Sequence, residues 1–334
     1  MKLRVGIVGL GGQWESRYLP ALRSLADRFE VRGICEQVAH RAERAAAEVS
    51  AVPVDGYRAL ASRDDIDAIL YLSDQWYGAA PILAACDFGK AVYSAISFPV
   101  EDDEVQLLRR RVEESGIAFM AELPRRHAPA TIRLKELIAT RLGQPRMLFC
   151  HRRVPLSVAA AAPPRDRASE ARDLMDLVDW CRYAAGTEPT SVVAVRHAET
   201  PGAKIDDYQM MSLDFSQTGR PGDGAIAQIS CGYYMPRQWE EAVGFRPPPA
   251  LQVVCENGIA FIDLPSSLVW FDTAGRHQES LESERPVGEH MLVQFHRKVT
   301  SLVRAVSGLD DSLRAMRIVQ AAATSQTEGR RVSL

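Results

Sequence analysis

The sequence predicts an α/β domain with a doubly wound parallel sheet, followed by an α+β domain on an open, mostly antiparallel sheet. Three observations predict this. Strand-like and helix-like segments alternate from Leu3 to Leu123; the first strand runs into a glycine turn, Gly9-Leu10-Gly11-Gly12; and after one further helix, strand-like runs follow one another with few helices between them. The expected domains are 1–123 and 124–334.

Leu3 to Val8, LRVGIV, is a β-branched run, and the amphipathic YLPALRSLADRF after the glycine turn reads as a helix. Val31 to Cys35 is the second strand, closed by Glu36, and HRAERAAAEV is its helix. The strand IDAILYLS, the helix AAPILAACDFG stopped by Gly89, and the strand KAVYSAI continue the pattern. EDDEVQLLRRRVEESG begins with acidic residues that suit a helix dipole and closes at Gly116, and the strand IAFMAEL follows. Beyond the helix ATIRLKELIATRL come PRMLFCHRRV, TSVVAVRHAET, YQMMSLDFSQ, GAIAQISCGYYM, ALQVVCENG and IAFIDLP, with hairpin turns expected at TGRPGDG and ENG. SVAAAAPPRDRASEA lacks periodicity and reads as a loop; HMLVQFHRKVTSLVRAVSG and DDSLRAMRIVQAAATSQTEG read as the closing helices.

At 334 residues the chain is long enough for two cores, and its net charge of −3 carries no basic block. Nucleic acid and anionic membrane are therefore not expected partners, and a small molecule is. The six cysteines form no C-x-x-C pair and read as reduced thiols, no histidine pair has metal-ligand spacing, and no apolar run approaches the ~20 residues of a membrane span. MKLRVGIVGLGG enters a strand directly, without the pattern of a leader, so the expected location is the cytoplasm. The alternation in YQMMSLDF and AIAQISCGYY leaves one apolar sheet face to be covered, and a homo-oligomer is expected to cover it.

Four scaffold segments, AACDFGKAVYS, HAPATIRLKELIATRLGQPR, DLVDWCRYAAGTEP and LDDSLRAMRIVQAAATSQTEGRRVSL, occur in an order that resembles the Gfo/Idh/MocA family of NAD(P)-dependent oxidoreductases. The resemblance covers essentially the whole chain. It implies an N-terminal Rossmann domain, a C-terminal domain on an open sheet, and a nicotinamide cofactor.

The glycine turn has a mechanical meaning in such a domain, because Gly9, Gly11 and Gly12 let the backbone approach a pyrophosphate. Where G-x-G-x-x-G has its third glycine this chain has Trp14, and the count to LPAL is one residue longer than the family's commonest spacing, so a reshaped turn is expected. Glu36 stands where a carboxylate accepts hydrogen bonds from adenosine ribose hydroxyls; its charge opposes a 2′-phosphate, which favours NAD over NADP. Ser73, Trp76 and Tyr77 follow the third strand of the alternating pattern, at the crevice where open sheets take ligands; the aromatics there can stack on a ring or close an empty site.

The resemblance also locates what is missing. The family's Glu-Lys-Pro triplet falls on Ala95-Ile96-Ser97, and a two-residue shift of register puts Phe98 in the lysine's place instead; Ser97 remains as a polar group beside the cofactor. The family's aspartate and histidine fall on Arg172 and Asp176, and its Pro-x-x-x-His on Asp74 and Gly78. Loss of a positioned base costs about 10²–10⁴-fold in rate, so the usual polyol dehydrogenase mechanism is not expected. The remaining candidates for acid/base work are Asp173, Asp176, His127 and His151, with Arg125 and Arg126 nearby in sequence. Two readings stand: a divergent NAD-linked oxidoreductase acting on an imine, activated carbonyl or sugar-like metabolite, or a non-redox protein on the same scaffold that needs no cofactor (a degenerate partner, a ligand-binding module, or a lyase or isomerase).

Overall fold

The computed structural model describes residues 1–73, 77–95, 102–156, 167–197, 208–217, 223–236, 241, 245–281, 285–301 and 306–334. They divide into two compact units, Met1–Pro124 with Glu284–Arg314, and Arg125–Ser283 with Ala315–Leu334.

In the first unit, β1 (Leu3–Val8), β2 (Phe29–Cys35), β3 (Val52–Pro53), β4 (Ala68–Tyr71), β5 (Ala91–Ser94) and β6 (Phe119–Ala121) lie in the order β6-β5-β4-β1-β2-β3, every pairing parallel. This is the doubly wound order of a dinucleotide-binding fold. The connecting helices are α1 (Leu19–Ser24), α2 (Ala39–Glu48), α3 (Tyr57–Ala61), α4 (Ala80–Asp87) and α5 (Asp102–Ser115). Strands β4 and β5 are buried at every residue, as helices on both faces require, which is why AILY and AVYS read as unbroken runs instead of alternating.

The chain returns to this unit late. Met291, Leu292, Val293 and Phe295 of the helix Val287–Thr300 join the same buried cluster as Leu3, Tyr18 and Tyr93, and Val306–Ser307 pairs parallel with β6. Burial of that apolar face places the segment with the first unit, an arrangement that a single boundary after residue 123 does not contain.

In the second unit, α6 (Pro129–Leu137), β7 (Pro145–Leu156), α7 (Arg167–Ala185), β8 (Ser191–His197), β9 (Tyr208–Asp214), β10 (Ile226–Pro236), β11 (Leu251–Cys255), β12 (Gly258–Asp263), β13 (Ser267–Asp272) and β14 (Gly275–Ser280) precede the return. With α8 (Val287–Thr300), β15 (Val306–Ser307), α9 (Leu309–Glu328) and β16 (Val332–Ser333) they complete the described elements. The sheet runs β14-β13-β12-β11-β7-β10-β9-β8-β16, antiparallel except between β10 and β7. Its strands alternate: Leu148 and Cys150 are buried while Met147 is exposed, and Val192 and Ala194 are buried while Val193 and Val195 are exposed. Helices α6 and α7 cover one face, and β13 and β14 extend the sheet beyond the strands that the sequence reading named.

Candidate functional site

The glycine turn follows β1. Gly9 and Gly11 have φ of +65° and +62°, the left-handed region in which a side chain is strained. A Cβ on Gly9 would lie 2.5 Å from the Ser73 carbonyl oxygen, and one on Gly11 3.1 Å from that of Leu72, so the exit of β4 demands both glycines. Gly12 differs: a Cβ there would meet nothing within 4 Å, leaving its backbone open to an approaching group. Glu36, at the end of β2, accepts the Leu10 N–H at 2.8 Å and the Gln37 N–H at 3.0 Å. The carboxylate therefore braces the turn from the ribose side, and each oxygen keeps lone-pair capacity for a hydroxyl. A cavity of about 140 Å³ beside the turn is lined by Gly11, Gly12, Trp14, Arg41 and Arg44 among others. A dinucleotide's pyrophosphate and ribose fit these residues through the open backbone at Gly12, the Arg41 guanidinium beside it and the carboxylate at the strand end, while Arg44 is paired with Glu15 and Glu48 of the same lining.

The extra residue counted in the sequence is taken up by a π-helix, Trp14–Tyr18. The Tyr18 N–H reaches the Gln13 carbonyl at 3.3 Å and the Leu19 N–H that of Trp14, both five residues back. Trp14 is buried with Leu10 and Tyr18, and its indole N–H has no acceptor among the described residues.

Trp76, Ser97, Ile96, Phe98 and Asp74 lie outside the described residues. Tyr77 is described, and it packs inward, edge-on to Tyr57 at 5.2 Å and 3.9 Å from the Cys35 sulfur. Burial, then Cys35, pushes its hydroxyl up to about 12, so it stays protonated at neutral pH.

In the second unit, Arg172, Asp173 and Asp176 all lie more than one turn inside α7, which begins at Arg167. Asp173 accepts from Arg152 at 2.6 Å. Asp176 is half-buried, while Asp179, one turn on, is buried and shared by Arg126 at 2.5 and 2.7 Å and Arg182 at 3.2 Å. Arg182 continues to Glu188. Arg125 lies over the Trp180 ring at 5.1 Å, and Trp180 donates to Thr131; no carboxylate pairs with Arg125 among the described residues. His127 ends a 3₁₀ turn, Pro124–His127, ahead of α6.

His151 does not join the aspartates. Successive residues of a strand face opposite sides, so Cys150 and Arg152 point to the helix side, where Arg152 meets Asp173 of α7, and His151 points to the other. There its Nδ1 contacts Ser230 Oγ at 2.8 Å, and burial, then Arg153, holds its pKa below the usual imidazole value. Glu122, which precedes Arg125, Arg126 and His127 in the sequence and was given no role there, is buried among Arg17, Tyr18 and Tyr93. A lone carboxylate in the apolar run FMAEL was the available signal.

Residues 3–94 match a family model described as an oxidoreductase family, NAD-binding Rossmann fold, and residues 131–261 match the GFO/IDH/MocA C-terminal domain; together the matches cover more than half of the chain. No curated protein matches the sequence. Solved structures do. Aldose-aldose oxidoreductase from Caulobacter crescentus aligns with a TM-score of 0.84 at 16% identity over 100% of both chains. Myo-inositol 2-dehydrogenase from Lactobacillus plantarum aligns at 0.78 and 19% over 100% of both, and an NAD binding oxidoreductase from Klebsiella pneumoniae at 0.79 and 16% over 100% of this chain and 99% of that one. At such identities the likeness is one of fold. Among the described residues no helix is long and apolar enough to cross a membrane.

Proposed function

The chain belongs to the Gfo/Idh/MocA oxidoreductases, and from that premise we propose that it is a nicotinamide-dependent oxidoreductase with a non-standard acid/base set, acting on a small polar metabolite. The observation that carries this reading is the glycine turn, where Gly9 and Gly11 are demanded by the exit of β4 and Gly12 faces open space beside Arg41. The backbone of Gly11 and Gly12 would hold the pyrophosphate, and Glu36 the adenosine ribose, with NAD preferred because that carboxylate repels a 2′-phosphate. A bound nicotinamide would give or accept hydride. Asp176, half-buried on α7, is the group to which we assign proton transfer, with His127 as the second candidate and Asp173, paired with Arg152, as the third. With Arg172 and Asp176 in the family's aspartate and histidine positions, an imine or activated carbonyl is a better substrate than an unactivated alcohol, because it needs less help from a base.

The test is turnover. Reduced-nicotinamide absorbance followed against panels of imines, activated carbonyls and polyols should show consumption with a member of the first two, lowered about 10²-fold or more by Asp176→Asn. Full activity of Asp176→Asn would remove Asp176 from the chemistry. A second reading, a non-redox ligand-binding protein, is favoured by the buried Trp14 at the third glycine position. Homo-oligomerisation through the open face of the second sheet, in the cytoplasm, belongs to the same proposal.

A further inference from the structure

We infer that Glu122 is the positioning residue of the dinucleotide cradle: its buried carboxylate clamps the Trp14–Tyr18 π-helix and thereby sets where the glycine turn presents its backbone. The inference rests on the reading that this turn takes a dinucleotide.

Glu122 follows β6, with its N–H bonded to the Ser94 carbonyl at 2.8 Å and its side chain sealed from solvent. One oxygen, Oε2, accepts the Tyr18 hydroxyl at 2.6 Å and the Tyr93 hydroxyl at 2.8 Å. The other, Oε1, lies 2.5 Å from Arg17 Nη2, an ion pair by proximity whose angle falls outside hydrogen-bond geometry. Two of the three partners, Arg17 and Tyr18, are consecutive residues of the π-helix, and the third belongs to β5.

A buried carboxylate is costly unless charge and hydrogen bonds meet it on every side, so the carboxylate and its three partners hold one another in place. Helix α8 closes the arrangement. A Cβ on Gly288 would lie 2.8 Å from Arg17 Cγ, so only a glycine there admits the arginine stem, and Phe295 packs edge-on to Tyr93 at 5.6 Å. The π-helix begins two residues after Gly12. An ordinary α-helix would shift the residues beyond the insertion by about 100° around the axis, carrying Arg17 and Tyr18 away from Glu122. Without the clamp the turn is expected to sample other registers and to present Gly11 and Gly12 differently.

The experiment combines two readouts on the full chain. Hydrogen exchange is measured at the Tyr18 and Leu19 amides, and calorimetry gives dissociation constants for NADH and NADPH. Glu122→Gln keeps an acceptor for the tyrosines but removes the charge facing Arg17. It is expected to speed exchange at both amides about tenfold and to weaken binding of the preferred dinucleotide about tenfold. Asp67→Asn, which breaks the Arg4 pair elsewhere in the same unit, serves as the control for general destabilisation and should leave the affinity within about twofold. If Glu122→Gln does not fold, Tyr18→Phe and Tyr93→Phe carry the same test, each removing one hydrogen bond. Unchanged exchange, or faster exchange with unchanged affinity, overturns the clamp while leaving the cofactor reading intact. A wild-type chain that binds no dinucleotide overturns both, and is distinguished because the comparison with the variant is then unnecessary.

Discussion

Glu36 braces the turn by accepting from the Leu10 and Gln37 N–H groups, and in the proposed reading its charge meets the ribose of a bound dinucleotide. Glu36→Lys should therefore weaken NADH binding and move the NADH/NADPH affinity ratio toward NADPH by about tenfold or more, read by calorimetry. An unchanged ratio would confine Glu36 to bracing. In the second unit, Asp179→Asn leaves Arg126 and Arg182 without their shared buried carboxylate, and a loss of about 3–5 kcal/mol is expected in thermal or denaturant unfolding. The histidines set a third outcome. Burial, then neighbouring arginines, holds His151 and His290 below the imidazole value of 6.5. The unfolded chain then takes up protons that the folded chain refuses, so stability is full above about pH 6.5 and declines as the pH falls toward the folded values. The shifted carboxylates, such as Asp67 and Asp214, are lowered from 3.8 and act only in more acidic solution. His151→Gln with His290→Gln should flatten the decline in Tm as the pH falls below about 6.5.

At the level of elements, the glycine turn and the π-helix form one device. Gly9→Ala places a methyl group 2.5 Å from the Ser73 carbonyl at a φ of +65°. A cost of about 2 kcal/mol or more is expected, with loss of dinucleotide affinity; a folded Gly9→Ala chain with full affinity would contradict the role of the turn. Alternation and glycine punctuation made the parallel sheet legible, because β1, β4 and β5 are short apolar runs bounded by turns. The single extra residue before LPAL was countable, but a π-helix at that place was not, because the groups that pack against Arg17 and Tyr18, Glu122 among them, lie far away in sequence. His151 and Asp173 were grouped by nearness in function, while strand alternation at β7 sends His151 to the opposite face from Arg152 and its partner Asp173. The polar strand RHQES lacks an apolar stripe, and its pairing with SLVWFD is a tertiary choice that periodicity does not reveal. The late return of α8 to the first unit is likewise written in packing, because Met291 and Phe295 would suit any apolar face.

For the whole molecule, the described residues leave apolar side chains exposed on the face of the second sheet opposite α6 and α7. Met147 and Ile226 are register partners on adjacent strands, 44% and 43% exposed, and Val193 and Val195 lie on β8 in the same sheet. Such a face is expected to be covered by a second copy. Met147→Glu with Ile226→Glu should convert the oligomer to monomer in sedimentation; a wild-type monomer would show that the face is left to solvent or to another partner. The proposal assigns the units separate tasks, cofactor binding to the first and substrate and partner binding to the second. The measurement that bears most directly on this division is calorimetric titration of the wild-type chain with NADH, NAD⁺, NADPH and NADP⁺. Dissociation constants in the micromolar range, tighter for the NAD pair, are expected. Absence of binding by all four up to millimolar concentration would contradict the oxidoreductase reading and turn the search to a non-redox ligand.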